Sequence, residues 1–242
     1  MDWSDEGIVL GARSHGESGA ILELLTKEHG RHLGYLHGGR SKRLAAVIQP
    51  GNTVAAEWRA RVDEQMGTYT VEPLVARSGA LMGSRLALYG LSTMAALLRA
   101  LPERDPHPAL YAASEALVAH LDDAEIAPRL FVAFELALLA ELGFGLDLGR
   151  CAATGVEEGL VYVSPRTGRA VSREAGAPYA ERLLALPAFL ASRETRADPA
   201  PREIAQGFAL TGHFLERHVY APRELALPPE RARFVALCAR ED

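Results

Sequence analysis

The chain concentrates its basic side chains in one short segment. Five cations stand between residues 27 and 43, where a single glutamate is the only acid: Lys27, Arg31, Arg40, Lys42 and Arg43. Three of them follow a glycine pair, Gly38-Gly39. Guanidinium forks and the backbone amides of a flexible turn are groups that bind phosphate oxygens. The segment therefore predicts contacts with a phosphate backbone, although a solvated basic loop would have the same composition.

Two further arginines and several aromatic residues could serve the same chemistry. Residues 57–62 alternate in polarity, so Arg59 and Arg61 share one face of a predicted strand. Proteins that bind single strands stack the bases on aromatic rings beside a basic groove. The aromatic candidates in this part of the chain are Trp3, Tyr35, Trp58 and Tyr69. Trp58 falls on the apolar side of its strand, which favours core packing for that ring.

The chain lacks the familiar motifs of enzymes and metal sites. It has no G-x-x-x-x-G-K-[ST] phosphate loop, no G-x-S-x-G nucleophile turn and no H-E-x-x-H zinc motif. His29, His32 and His37 could form a metal cluster, but exposed histidines on a basic loop would show the same spacing. Cys151 has no second thiol nearby, as a zinc site would require. We therefore predict no catalytic residues, no cofactor and no metal.

Short apolar runs separated by glycine-rich turns position the basic segment. The runs predict strands at 7–13, 20–26, 31–37, 57–62 and 69–71. Five short strands within the first 78 residues indicate a small barrel of the oligonucleotide-binding (OB) kind. The periodicity alone would also fit an SH3-like barrel. In either case the basic segment lies on the loop after the third strand.

The pattern becomes helical after Ser78. Helices are predicted at 81–101, 108–121, 128–142, 179–191 and 202–218, and weakly after Pro229. Leu130, Phe131, Phe134 and Leu138 form the apolar stripe of a buried helix. Residues 146–178 are irregular, with a hairpin predicted at 161–169. We predict an α+β protein with a barrel domain at 1–78 and a mainly helical domain at 79–242.

Composition limits the class of protein and its compartment. The 242 residues are 48% hydrophobic and 24% charged, which is ordinary for a globular protein. The acidic N-terminus does not resemble a secretory signal, no apolar run is long enough to span a bilayer, and two cysteines cannot build a disulfide framework. A reducing cytoplasm is therefore expected. The net charge of −5 argues against a nucleic-acid partner unless binding depends on a local cluster.

The order of these motifs resembles the bacterial RecO family of DNA-repair proteins. The matching segments in the first half are Gly7-Ile8-Val9-Leu10, Gly16-Glu17, Leu24-Leu25-Thr26, Gly30-Arg31, Gly38-Gly39-Arg40-Ser41-Lys42-Arg43 and Gln49-Pro50-Gly51. Further on, Phe134-Glu135-Leu136-Ala137-Leu138-Leu139 and Leu142-Gly143-Phe144-Gly145 resemble the central helix of the family and its end. Cys151 stands where the family's cysteine motif begins. Each motif is modest, but their ordered combination is specific.

The resemblance implies an OB-fold barrel, a helical domain and, in many members, a zinc ribbon of the C-x-x-C…C-x-x-C kind. Here Thr154 takes the second cysteine position, and the second pair is replaced within residues 170–175. We therefore expect a zinc-ribbon-like hairpin at about 146–178 that lacks its zinc ligands. The family also implies a function: annealing complementary strands and, with RecR, loading RecA onto strands coated by single-stranded-DNA-binding protein.

These observations predict a non-enzymatic, monomeric, nucleoid-associated DNA-binding mediator. The leading phosphate contacts are Arg40, Lys42 and Arg43, with support from Arg31, Arg59, Arg61 and Lys27. The expected ligands are single-stranded DNA and, in addition, double-stranded DNA. The tail of the single-stranded-DNA-binding protein is expected on the helix after Pro128, at Arg129, Phe131 and Leu138. The alternative is a protein-interaction adaptor with an incidental basic loop.

Overall fold

The computed structural model describes residues 1–62, 65–191 and 198–239. The chain divides into two compact units, Met1–Asp122 and Asp123–Asp242. The first unit holds the barrel together with three helices that follow it, so this unit is larger than the barrel alone. The barrel itself ends at Val75, and a functional boundary near residue 78 stays a prediction.

Five strands and one short helix build the barrel. Its elements are β1 (Asp2–His15), β2 (Gly19–Thr26), β3 (Gly30–Leu36), α1 (Lys42–Val47), β4 (Thr53–Arg59) and β5 (Thr68–Val75). The strands close in the order β1-β2-β3-β5-β4, with β3 and β5 parallel and the other neighbours antiparallel. This confirms the predicted five-stranded barrel and favours the OB kind over the SH3-like alternative.

Alternating side chains fill the interior of the barrel. Leu22 and Leu24 of β2 face inward between Val9 of β1 and Leu36 of β3, and all four are buried. Trp58 completes this core and donates its indole N–H to the carbonyl of Met66 at 2.9 Å. Because successive strand residues point to opposite faces, their neighbours project from the outside of the barrel.

Helix α1 closes one end of the barrel, between β3 and β4. The Ser41 hydroxyl caps it by accepting from the Leu44 amide at 3.4 Å, and Leu44 and Val47 pack on the barrel core. Asn52 then joins three segments of backbone. The side-chain NH₂ of Asn52 donates to the backbone carbonyls of Ala46 and Val47. Its side-chain oxygen accepts from the backbone amides of Arg77 and Ser78, where the next helix begins.

Three more helices belong to the first unit: α2 (Ser78–Leu81), α3 (Arg85–Leu98) and α4 (Pro108–Ala119). The segment after α3 packs on the outer face of β2 and β3. Arg99 pairs with Glu23 of β2, and the backbone of Asp105 lies so close to Gly30 that a Cβ there would clash. This part of the barrel wall is therefore covered by the unit's own chain.

The second unit is helical, with a small sheet inserted. Its elements are α5 (Ala127–Glu141), β6 (Leu160–Val163), β7 (Ala170–Ser172), α6 (Arg173–Gly176), β8 (Leu184–Ala185), α7 (Ala188–Ala191), α8 (Pro201–Phe214) and α9 (Pro229–Cys238). A π-helical segment, Leu215–Tyr220, continues α8. The sheet has the order β7-β6-β8. The hairpin predicted around 161–169 is thus confirmed, with both strands antiparallel.

The helices of the second unit meet around aromatic rings and one buried ion pair. Phe234 of α9 lies 4.4 Å from Phe131 of α5 and 5.9 Å from Phe208 of α8, measured between ring centroids. Beside them, Arg231 donates to both oxygens of Glu135, at 2.6 and 2.9 Å. The Glu135 carboxylate is fully buried, so removing its arginine would leave an uncompensated charge.

Two predicted elements need correction. The strand predicted at 57–62 begins at Thr53 and ends at Arg59, because Arg59 pairs with the first residue of β5, Thr68, and the connection between the strands follows. The helix predicted at 179–191 is instead a 3₁₀ segment, Ala177–Arg182, followed by β8 and the short α7. Pairing of β8 with β6 overrides the local helical preference there.

Candidate nucleic-acid interface

The strand register places five outward side chains in one row across the barrel. Arg13 pairs with Ile21, Ile21 with Tyr35, Tyr35 with Thr68, and Thr68 with Arg59. We call these five residues the cross-strand row. Neighbouring strands lie about 4.8 Å apart, so the row spans about 19 Å. An arginine stands at each end and an aromatic ring in the middle, which is the composition of a single-strand binding groove.

Tyr35 provides the aromatic surface of the row. Its ring lies directly over Gly19, where a Cβ atom would approach the phenol oxygen to 2.0 Å. His15 and His37 stand edge-on to the ring at centroid distances of 5.9 and 4.7 Å. Both imidazoles are exposed and Tyr35 is half-buried. The glycine thus lets an aromatic ring lie flat on the strand, at a position where a base could stack.

The basic segment forms a turn and the beginning of α1, which we call the basic turn (residues 37–43). Arg40 donates to the carbonyl of Glu17 at 2.8 Å, and its own amide donates to the carbonyl of Ser18 at 3.1 Å. These bonds join the basic turn to the loop between β1 and β2. Lys42 and Arg43 are exposed at the start of α1 and have no acidic partner among the described residues. Their charges are therefore available to a ligand.

The connection between β4 and β5 carries the other pair of predicted cations. Arg59 ends β4 with its side chain 72% exposed, 3.8 Å from Glu57. Arg61 lies beyond the strand end and is also exposed, so the two do not share a strand face as predicted. They do line one cavity, of about 530 Å³, together with Gln65 and Thr68. Arg104 approaches the same place and donates to the carbonyl of Gln65 at 2.7 Å.

The two remaining predicted contacts lie elsewhere. Arg31 is buried, and its guanidinium binds Glu23 at 3.0 Å and Glu103 at 3.5 Å. The physical reason is that Arg31 faces the covered part of the barrel wall, so it is a structural ion pair rather than a surface cation. Lys27 is exposed but pairs with Glu6 at 3.6 Å, in the turn at the opposite end of β2 from the basic turn.

Of the aromatic candidates, only Tyr35 belongs to the row. Trp58 and Tyr69 are buried in the barrel core, as alternation predicts for Trp58. Burial raises the pKa of the Tyr69 phenol well above its usual range. Trp3 is half-buried and stacks on His29 at a centroid distance of 4.1 Å. His32 is buried and also contacts the Trp3 ring, edge-on at 5.1 Å, whereas His37 lies beside Tyr35, so the three histidines do not form one cluster.

Arg13 is the residue of the row that sequence reasoning missed. It stands in β1, far from the basic segment in sequence, and only the pairing with Ile21 brings it beside the other row residues. One signal was available: Gly11, Arg13 and His15 alternate with small or polar residues at the end of a predicted strand, which indicates an exposed face. Arg13 has no ion-pair partner among the described residues.

Two of the three residues predicted to hold a partner's tail are not open to solvent. Phe131 and Leu138 are completely buried, because the rings of Phe208 and Phe234 cover the apolar stripe of α5. The prediction of a slot for the tail at these two side chains is therefore wrong, because the unit's own α8 and α9 occupy that space. Arg129 remains partly exposed, 3.2 Å from Asp198.

The hairpin insertion stands where the resemblance implies a zinc ribbon. Cys151 is buried and accepts the amide N–H of Ser172 at 3.3 Å, so the structure brings Cys151 next to the segment 170–175. Burial opposes ionisation of this thiol, but hydrogen bonds from Thr154 and Ser172 lower its pKa to about 6. Thr154 takes the second cysteine position and residues 170–175 contain no cysteine, so the donor set has one sulfur and does not fit zinc. Within the described ranges no three His, Cys, Asp or Glu residues come together to hold a metal.

None of the described helices combines the length and the apolar composition that a bilayer crossing needs.

Comparison with known proteins gives consistent matches along the chain. Residues 1–76 match the family model described as recombination protein O N terminal, and residues 82–225 match the one described as recombination protein O C terminal. The DNA repair protein RecO of Methylobacterium nodulans is 63% identical over 240 residues, which cover 98% of both chains. That of Methylorubrum populi is 59% identical over 98% of both chains, and that of Chelativorans sp. 57% over 99% and 96%. The chain therefore belongs to the RecO family of DNA-repair proteins.

Proposed function

We propose that the protein binds single-stranded DNA across the cross-strand row and anneals complementary strands, without catalysing any bond chemistry. The observation that carries the proposal is the register, which aligns the exposed Arg13 and Arg59 with the half-buried Tyr35 on the outer face of the barrel. In OB-folds, ligands commonly lie on strands β2 and β3 and against the loops between β1 and β2 and between β4 and β5. The basic turn and Arg61 flank the row at these two loops.

In this proposal the cations and the aromatic ring bind different parts of the strand. The exposed charges of Arg40, Lys42 and Arg43 would neutralise phosphates, and Tyr35 would support one unpaired base. Annealing needs no nucleophile or general base. It requires the repulsion between two phosphate backbones to be screened while base edges stay free to pair. A protein that holds the backbone by charge and one base face by stacking leaves those edges accessible.

The resemblance supplies partners for this activity. We propose that the protein acts with RecR to load RecA onto strands coated by single-stranded-DNA-binding protein, as a monomer at the nucleoid in the cytoplasm. Double-stranded DNA is a second ligand, because phosphate contacts carry no sequence or strand requirement. The proposal of these partners follows from family membership and not from the cross-strand row.

For the tail of the single-stranded-DNA-binding protein, Arg129 is the remaining candidate cation on α5. A terminal carboxylate could replace Asp198, which now lies 3.2 Å from its guanidinium. Titration of a labelled tail peptide against wild type and Arg129→Ala tests this assignment. Equal affinities would remove Arg129 from the site, and no binding to wild type would contradict the partner itself.

An adaptor without DNA binding is the second candidate function. It is favoured by an apolar cavity of about 220 Å³ in the first unit, lined by Leu10, Leu81, Met82, Leu88 and Leu91. Met82 and Leu88 are 62% and 44% exposed and lie together at this cavity. Such a surface suits a protein partner and could coexist with the DNA row.

Salt dependence separates the two candidates. We expect labelled oligothymidine to bind with a log–log salt slope near −3, from about four phosphate contacts at roughly 0.7 each. Affinity would then fall about fiftyfold between about 0.05 and 0.2 M salt. Anisotropy titrations at both concentrations measure this, and mixing two complementary dye-labelled strands measures annealing. Failure to bind at the lower salt concentration would contradict the DNA function and leave the adaptor.

A further inference from the structure

A groove of about 480 Å³ runs over Gly11 on the outer face of β1, next to the cross-strand row. Arg13 stands at one side of it and Arg99, which directly follows α3, at the other. It shares Ala12 and Arg13 with a second cavity, of about 350 Å³, that reaches Arg40 of the basic turn. Cations therefore follow one another from the basic turn, past the end of the row, to the end of α3.

The side chain of Arg99 is fixed in this groove by hydrogen bonds to Glu23. Its Nε and Nη2 donate to the Glu23 carboxylate at 3.1 and 2.7 Å, yet the side chain remains 51% exposed. A guanidinium has five N–H groups, and those on Nη1 have no acceptor among the described residues. Since the side chain is already fixed in one position, a ligand would not have to order it.

The acids of the groove are themselves neutralised. Glu23 binds Arg99 and Arg31, and Glu103 lies 3.5 Å from Arg31. The lining thus carries three arginines against two glutamates, with Arg13 the cation that has no acidic partner. A ligand with one negative charge balances this set.

Gly11 keeps the groove open. A Cβ atom added there would meet only Nη2 of Arg99, at 3.8 Å, so this position is the floor of a free space. Its φ is not in the left-handed region, and L-residues can therefore replace it without backbone strain.

We propose that this groove binds a phosphate group of single-stranded DNA between Arg13 and Arg99. It extends the path of the strand from the row onto the segment that follows α3, and the inference rests on the function proposed above. Short strands fill the row alone, whereas longer strands also reach the groove. The groove therefore contributes affinity only above a minimum strand length.

A change at Gly11 tests the inference and leaves every residue of the row in place. In Gly11→Asp the new carboxylate takes the free N–H groups of Arg99 and repels phosphate, and Gly11→Asn is the matched neutral control. Anisotropy is measured with oligothymidine of about 6 nucleotides, near the lower end of the site sizes known for OB-folds, and of about 25 nucleotides, which exceeds them. We expect Gly11→Asp to bind the longer strand about fivefold more weakly at about 0.1 M salt, which is the contribution of one phosphate contact. Its affinity for the shorter strand, and both affinities of Gly11→Asn, should match wild type.

Each other outcome is decisive. Unchanged binding of the longer strand by Gly11→Asp overturns the groove as a phosphate site, and equal weakening of both strands overturns it as an extension. If wild type binds neither strand, the proposed function fails instead. Should circular dichroism show that Gly11→Asp is unfolded, Arg99→Gln takes its place with the same two strands, because glutamine keeps a hydrogen bond to Glu23.

Discussion

The barrel wall and helix α5 both looked like binding surfaces, since each carries aromatic side chains beside arginines. In the barrel, Tyr35 remains half-buried between exposed cations. In the helical unit, Phe131 is completely buried against Phe208 and Phe234, and the nearby Arg231 forms an ion pair with the buried Glu135. Similar residue types thus serve a surface in one unit and a core in the other.

The difference comes from how each element uses its faces. A strand points alternate residues inward and outward, so a barrel can fill its interior and still present every second side chain to solvent. A helix with a broad apolar stripe must bury that stripe against another element. Aromatic residues in a closed barrel are therefore split between core and surface, whereas those on the stripe of α5 all go to the core.

The largest effect should follow from opening the helical core. Phe234→Ala removes the ring that covers Phe131, and large-to-small changes of this kind cost about 3–5 kcal/mol. We expect a lower midpoint in guanidinium denaturation, a smaller loss for Phe234→Leu, and unchanged DNA affinity under conditions where the variant is folded. An unchanged midpoint would mean that the stripe of α5 is not core and is open to partners after all.

Removal of the three positive charges of the basic turn should have the next largest effect, and only on DNA binding. The triple change Arg40→Ala, Lys42→Ala and Arg43→Ala should weaken oligothymidine binding about a hundredfold at about 0.1 M salt, because three phosphate contacts are lost. Three exposed arginines of the second unit, Arg166, Arg173 and Arg182, give a control with the same change of net charge. Anisotropy measures both, and similar affinities for the two triple variants would move the binding surface away from the basic turn.

A smaller effect is expected from the aromatic ring of the row. Tyr35→Ala should weaken binding about tenfold, within the range of about 1–3 kcal/mol for one stacked base. Tyr35→Phe keeps the ring over Gly19 and should bind like wild type. The salt slope should stay the same in both variants, because no charge is removed. A lower slope in Tyr35→Ala would indicate that the ring positions a phosphate contact rather than a base.

The smallest effect is expected from metal removal. One sulfur donor at the hairpin cannot hold structural zinc, so dialysis against a strong chelator should leave the thermal midpoint unchanged. Elemental analysis of the purified protein should find far less than one zinc per chain. Stoichiometric zinc, or a fall of the midpoint with chelator, would contradict the interpretation of Cys151 and require another ligand set.

Much of the fold followed from patterns that depend on neighbours in sequence. Glycine-rich turns between short apolar runs predicted all five strands of the barrel, and the stripe of α5 predicted a buried helix. The ends of β4 and the segment at 179–191 were predicted wrongly, since their extent depends on which strand pairs with them. Local preference cannot report such a pairing, because the partner stands far away in the chain.

The sequence by itself determined which groups this protein can use: a concentrated set of cations, aromatic residues on alternating strands, and a hairpin without enough thiols for zinc. Only the tertiary structure decided which of them share a surface. Arg31 and Arg40 belong to the same basic segment, yet one lies in a buried ion pair and the other lies at the surface. Arg13 and Arg59 are distant in sequence, yet strand register places them in one row. Exposure and proximity are properties of packing and pairing, and residue type and local spacing do not contain them.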